Sequence, residues 1–251
     1  MKKRQRIRKA IIIGMAFTFP VTITWLSPAM PIIYAWFDGI VVGAVIFFAL
    51  QFFASLFLGR AYCGFVCPGA GLNECAMRVT EKPIISKKIS YIKYVIWVPW
   101  LISIIVAFIH AGGIKEVDFF AGTVDNWIFL IAPYRYAIYF GVVFGGMAMH
   151  LILGKRAFCH AVCWMAPFMI IGVKMSDWLR LPRLRLKSNK DTCVGCNQCT
   201  KKCPMSIDVK TMVESENMEH VECVLCGECV DVCPKKSIAY AFKNQSKGEP
   251  K

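Results

Sequence analysis

Hydrophobic residues run without a polar face through four stretches of the chain, 10–29, 39–58, 91–111 and 134–153, and none carries a charge near its middle. A bilayer-spanning helix needs roughly 20 mostly apolar residues, whereas a helix on the surface of a soluble core keeps a polar stripe. The pattern predicts four transmembrane helices. Pro20 and Pro99 fall inside the first and third, where the lost backbone donor should kink each helix. A fifth apolar run, 164–173, is too short to cross and reads as interfacial or re-entrant. The pattern then changes: 181–190 reads as a basic linker, 191–242 as a small cysteine-rich domain and 243–251 as a polar, disordered tail. Inside the small domain, 207–209 and 238–242 are apolar enough to form short strands.

The 251 residues are 57% hydrophobic and carry a net charge of +14. Such a charge suggests nucleic acid or anionic lipid as partner, and its location decides. Residues 190–251 hold nine basic and nine acidic side chains, so the whole excess lies beside the apolar runs. No compact basic face with interleaved aromatics is present; nucleic acid is not expected as a partner, and membrane lipid is. Lys and Arg number six in 1–9, none in 27–39, six in 59–93, one in 112–134 and eight in 154–190. This alternation places the N-terminus and the C-terminal domain on the cytoplasmic side of a prokaryotic inner membrane, with Asp38, Glu116, Asp118 and Asp125 outside. "MKKRQRIRK" and the long run after it read as a retained first helix rather than a cleaved signal. Trp25, Trp36 and Trp127 outside, and Trp97 and Trp100 on the inner half, read as interfacial anchors.

The octapeptide "RAYCGFVC" (60–67) returns as "RAFCHAVC" (156–163), each time just after an apolar run. The membrane domain, 1–180, is thus a tandem of two half-repeats, 10–71 and 91–173. Two spans separate equivalent points, which makes this a parallel repeat. Thiols at i and i+4 share a helical face, so Cys63, Cys67, Cys159 and Cys163 should converge. Three readings are open for them: a bound iron–sulfur cluster, a pair of redox dithiols, or small apolar packing residues. Arg60 and Arg156 would offset the charge of a thiolate site. Cys75 has no counterpart in the second half and reads as packing.

In the small domain, "CVGCNQCTKKCP" and "CVLCGECVDVCP" are each C-x2-C-x2-C-x3-C-P. Three thiols so tightly spaced suit three corners of an iron–sulfur cube, with the fourth ligand taken from the other motif. One cluster would take Cys193, Cys196, Cys199 and Cys233; the other Cys203, Cys223, Cys226 and Cys229. Gly195 and Gly227 let backbone amides close round the sulfurs. A cytoplasmic, reducing location disfavours disulfides. A cube with four thiolates offers no substrate position and transfers single electrons. The region resembles a bacterial-type ferredoxin with two [4Fe-4S] clusters. The fold class is therefore an α-helical membrane domain joined to a small α+β ferredoxin-like domain.

Four spans, two membrane cysteine pairs and a double-cluster ferredoxin together resemble the membrane polyferredoxins of respiratory modules. These include the membrane subunit of the periplasmic nitrate reductase quinol-oxidising module, the core of the nitrous-oxide-reductase regulator and a copper-handling oxidase-assembly factor. The chain is most like the first, the NapH type. The family's C-x3-C-P is matched by Cys63, Cys67 and Pro68; in the second copy Trp164 follows Cys163, and the proline comes at Pro167. The resemblance implies an electron-transfer subunit with iron as its metal, no independent substrate site, and other redox subunits, flavin or haem proteins among them, as partners. A quinone is a further implied carrier, although no quinone motif is present. Two other functions stay in view: a copper reductase or metalloenzyme maturation factor, and a redox-sensing regulator. His110 and His150 fall at opposite depths, unlike a shared haem pair; His160 reads as interfacial and His220 as surface.

Overall fold

The computed structural model describes residues 2–122 and 133–244. Asp125, Trp127 and most of the 243–251 tail lie outside the described residues. The chain is mostly helical. Its order is α1 (Lys3–Phe17), α2 (Phe19–Leu26), α3 (Ala29–Asp38), β1 (Ile40–Val42), α4 (Gly43–Leu58), α5 (Ala61–Phe65), α6 (Pro68–Ala76), α7 (Ile92–His110), β2 (Glu116–Asp118) and α8 (Pro133–Leu153). There follow α9 (Ala157–Ala161), α10 (Met165–Trp178), β3 (Arg183–Ser188), α11 (Gln198–Lys201), α12 (Val209–Glu214), α13 (Glu228–Val232) and β4 (Ile238–Lys243).

Two helices, 88–110 and 136–153, are long and apolar enough to cross a membrane. Their large side chains face outward: Val95, Ile109 and Ile152 are each about 70% exposed, as lipid-facing residues must be. The first predicted span is broken. Helices α1 and α2 meet at 79° around Thr18, one residue before the Phe19–Pro20 start of α2, and count as a third span only if the bent pair is one unit. The second predicted span divides too. Its first residues form β1, which pairs in parallel with β2, leaving a 16-residue helix α4. Residues 27–39, expected as a bare outer loop, contain α3, which packs along α7. The 164–173 run is the core of α10, packed against α4, with Met169, Ile170 and Gly172 buried.

The segment read as linker contains β3, which pairs antiparallel with β4 and closes the ferredoxin-like module. Residues 207–209 form no strand; Asp208 instead caps α12 by accepting from Thr211 N, because a capping aspartate before a short helix competes with extended structure.

Candidate functional site

The two C-terminal motifs each wrap a cavity, and the cavities exchange one cysteine. Cys193, Cys196 and Cys199 line the first together with Cys233. Cys223, Cys226 and Cys229 line the second together with Cys203. The backbone achieves this by turning left-handed at two matched positions per motif. Gly195 (φ +68°) answers Leu225 (φ +51°), and Asn197 (φ +58°) answers Gly227 (φ +74°). The sequence signals only one glycine of each matched pair; Leu225 accepts the strained conformation while its carbonyl accepts a hydrogen bond from Tyr240 Oη at 2.5 Å.

Burial pushes the Cys203 thiol up to about 11 and Cys223 up to about 12, and it raises Cys226 and Cys229 as well. Bare thiols in that state stay protonated at neutral pH, so a bound cation must displace the proton. Burial also raises Cys233, but the amide groups of Ser237, Lys235 and Lys236 outweigh it and bring the thiol below its ordinary value. Ser237 N donates to Cys233 Sγ at 3.3 Å. Among the described residues no three Cys, His, Asp or Glu side chains stand at the spacing of a single metal ion. Four thiols ringing a cavity, with amides aimed at sulfur, fit a multi-iron cube.

The membrane pairs do not lie on one helical face. Cys63 sits within α5, while Cys67 is the N-cap of α6, because Pro68 cannot continue a helix but can begin one. The second copy repeats the break without that proline. Val66 (φ −125°, ψ −23°) and Val162 (φ −119°, ψ −18°) have nearly the same backbone. Cys67 N and Cys163 N donate to the equivalent carbonyls, Tyr62 O at 3.0 Å and Phe158 O at 3.1 Å. Each of the four thiols feels the charge of the others, so the two copies of the octapeptide face one region of the helical domain.

This thiol group abuts the second motif directly. A Cβ on Gly64, between Cys63 and Cys67, would collide with Val224 O and stand 3.3 Å from Cys226 Cα. The segment between the membrane thiols and the second motif are therefore in van der Waals contact. Changing Gly64 to leucine should separate them. The expected result is a loss of about 1–3 kcal/mol in urea unfolding, the cost of forcing a larger side chain into a close-packed contact.

Buried charges fasten the contact. Arg8 of α1 donates to Gly64 O at 3.1 Å, to Glu74 at 3.1 Å and to Glu228, beside Cys229, at 3.0 Å. Gln5 Nε2 donates to Cys226 O at 3.0 Å, and Arg4 pairs with Asp231 at 2.9 Å. Arg60 donates to Val221 O at 2.6 Å and pairs with Glu222 at 3.1 Å; Lys93 pairs with the same carboxylate. Arg156 donates to Cys63 O at 3.2 Å and reaches Glu74 at 3.4 Å. Burial alone would raise both carboxyls, yet Arg156 and Arg8 hold Glu74, and Arg60 and Lys93 hold Glu222, below the usual range. Arg60 and Arg156 stand beside the thiols and face their charge, as expected, and each also satisfies a carboxylate. In β3, Arg183 and Arg185 bind Asp177 and Glu219 in the same manner. Part of the positive excess read as topology signal is thus an internal fastening. Glutamates adjoining cluster cysteines, at Glu222 and Glu228, were the available clue.

The histidines divide. His110 stacks on Trp36 at 4.2 Å, His150 Nε2 lies 3.1 Å from Thr80 O, and His220 is exposed. His160 is buried, with Nδ1 2.8 Å from Ser90 Oγ. Trp97 and Trp100, both half-buried, pack edge-on to Phe168. Cys75 is half-buried in α6.

Cysteine-ringed cavities on a ferredoxin-like module, joined to a duplicated apolar helical domain, define an iron–sulfur electron-transfer protein of membrane type. Comparison with known proteins agrees. A profile described as "4Fe-4S dicluster domain" matches residues 192–238, and one described as "4Fe-4S binding domain" matches both halves of the repeat, 40–91 and 134–183. An uncharacterized protein of Methanocaldococcus jannaschii is 30% identical over 76% of the chain and 77% of its own length. The ferredoxin-type protein NapH of Haemophilus influenzae is 23% identical over 83% of the chain and 70% of its own. The Escherichia coli electron transport protein YccM, so described as putative, is 23% identical over 73% and 51%. No solved structure matches. The chain belongs to the NapH-like polyferredoxin family.

Proposed function

We propose that the chain is a relay subunit carrying single electrons between a cytoplasmic redox partner and a quinone or an extracytoplasmic redox protein. The first cluster site is Cys193, Cys196, Cys199 and Cys233; the second is Cys203, Cys223, Cys226 and Cys229. Cys63, Cys67, Cys159 and Cys163 hold a third iron–sulfur group. When bound, such clusters supply one-electron redox chemistry. The protein's own residues fix the spacing, exclude water and aim amides at sulfur. The chain crosses the inner membrane four times, counting α4 and the bent pair, with the ferredoxin module and N-terminus in the cytoplasm. The contact of Gly64 with Val224 and Cys226 carries this reading, because it joins the membrane thiols to the second cluster site.

The test is iron and acid-labile sulfide in anaerobically purified protein, with and without the pair of changes Cys159→Ala and Cys163→Ala. Loss of about four irons from a total of about twelve supports the third site; an unchanged total near eight irons sinks it. A second reading has one observation behind it. Cys63 Sγ lies 3.9 Å from Met169 Sδ, and thiolate with thioether suits Cu(I). Stoichiometric copper uptake that depends on Cys63 and Met169, in place of iron, would favour a copper-handling role.

A further inference from the structure

The two cysteine motifs of the ferredoxin module match position by position, but only one of the two ends they form is covered. At the second motif, Val224 O and Cys226 Cα meet the backbone at Gly64. The acidic side chains around that end, Glu222, Glu228 and Asp231, are taken up by Arg60, Lys93, Arg8 and Arg4 of the helical domain. The first motif repeats the same loop without a cover: Val194, Gly195 and Cys196 answer Val224, Leu225 and Cys226. Val194 is 59% exposed and Cys196 is exposed, whereas Val224 and Cys226 are buried. A Cβ on Gly195 would meet only Lys210 Cε, at 4.0 Å, so a second backbone could approach there as closely as Gly64 approaches Cys226. The charge is exchanged as well. Thr192 stands where Glu222 does, Gln198 where Glu228 does and Lys201 where Asp231 does. Lys210 and Lys235 line the first cavity, and the amides of Lys235 and Lys236 act on the Cys233 thiol. Lys201, Lys235 and Lys236 are exposed, and the ion pairs of this end among the described residues involve other lysines, Lys202 with Glu81 and Lys210 with Glu214. Of the remaining acids here, Asp208 caps α12 and Asp191 is exposed.

The covered end shows how this module docks: backbone against backbone at the cysteine loop, with acids of the module facing bases of the helices. We propose that the bare end, with the charge reversed, is the docking surface for a soluble one-electron carrier protein that presents an acidic face. Carboxylates of the carrier meet Lys201, Lys210, Lys235 and Lys236 while its redox centre comes to rest over Val194 and Cys196. Exposed lysines speed the encounter through the field they share and add little to the lifetime of the complex, which suits a carrier that must leave after each visit. In one visit the reduced carrier is oxidised by one electron, which passes to the group held by Cys193, Cys196, Cys199 and Cys233; no covalent bond forms or breaks. The inference deepens the relay reading, on which it rests, by giving the class of the cytoplasmic partner and the place where it lands.

The experiment uses the full-length chain in nanodiscs under argon, with a plant-type [2Fe–2S] ferredoxin, a small acidic protein, as the probe. Binding of the labelled ferredoxin is read by fluorescence anisotropy, and its oxidation by stopped-flow absorbance. Affinity and oxidation rate should both fall at least about tenfold between about 50 and 300 mM salt. Lys235→Glu with Lys236→Glu should cause a loss of about the same size at low salt. Its iron content and its reduction by a zwitterionic viologen, which has no net charge to steer, should stay unchanged. Should that variant lose iron, Lys201→Glu with Lys210→Glu carries the same expectation. Arg78→Glu with Lys174→Glu is the control of equal charge change, on exposed residues that line other cavities, and should alter binding less than about twofold. Absent binding, binding indifferent to salt, or equal losses in the control and the lysine variants overturns the proposal. Iron content separates the two readings. Lysine-dependent binding to a protein whose membrane thiols hold no iron removes the relay and leaves the surface; full iron with binding indifferent to the lysines removes the surface and leaves the relay.

Discussion

Replacing Cys233 by alanine is expected to empty the cavity of the first motif, not that of the second motif in which the residue stands. The ferredoxin module should fall from about eight irons to about four. Cys233 belongs to "CVLCGECVDVCP" in sequence, yet it lines the cavity of Cys193, Cys196 and Cys199. Cys203→Ala should do the reverse and empty the cavity of Cys223, Cys226 and Cys229. Iron and sulfide assays give the count. Magnetic resonance of the reduced protein identifies the surviving cluster, because Cys196→Ala must leave the same signal as Cys233→Ala, and Cys226→Ala the same as Cys203→Ala. A Cys233→Ala protein whose signal instead matched Cys226→Ala would mean that each motif closes on itself, and the crossed pairing would be abandoned.

Arg8→Ala should cost about 3 kcal/mol or more in the docking of the ferredoxin module on the helical domain. The guanidinium is wholly buried, and its removal leaves Glu74 to Arg156 and Lys9, and Glu228 to Lys9 alone. Lys9 reaches the same carboxylates, at 3.4 and 3.1 Å, which keeps the loss toward the lower end of the range of about 3–5 kcal/mol for broken buried pairs. Urea unfolding of the nanodisc-bound protein, followed by cluster absorbance, measures it. Arg6→Ala is the control: Arg6 is exposed, carries the same charge and lies two residues away. Were the N-terminal charge only a topology signal, the two variants would lose stability equally; if it is a fastening, only Arg8→Ala unfolds early.

Both expectations show where sequence reading succeeds and where it stops. The spacing of the cysteines was enough to propose ligand sets, because three thiols three positions apart bend the chain round one point. The repeat was legible because copied octapeptides keep their local hydrogen bonds even when Pro68 becomes Trp164. The carboxylate partners of Arg8, Arg60 and Arg156 were not, since a charge flanking an apolar run looks the same whether it meets lipid phosphate or a glutamate 66 to 220 residues away. The kink in the first span was legible from Pro20, but its size, 79°, and the shortened α4 were hidden for a related reason. Hydropathy measures how apolar a stretch is, not whether α1 is held sideways by Gly71 against Ile12 or whether Gly39 turns the chain into β1.

The sequence by itself determined the chemistry of this protein: eight thiols in two interlocking motifs, four more in a duplicated apolar scaffold, and the family that combination marks. Those properties are local, set by spacing and side-chain type. The tertiary structure decided which carboxylate each buried cation serves and that the backbone at Gly64, between the membrane thiols, meets the second motif at Val224 and Cys226. Each is a contact between residues far apart in the chain, made favourable only when folding removes the water that would otherwise satisfy them singly.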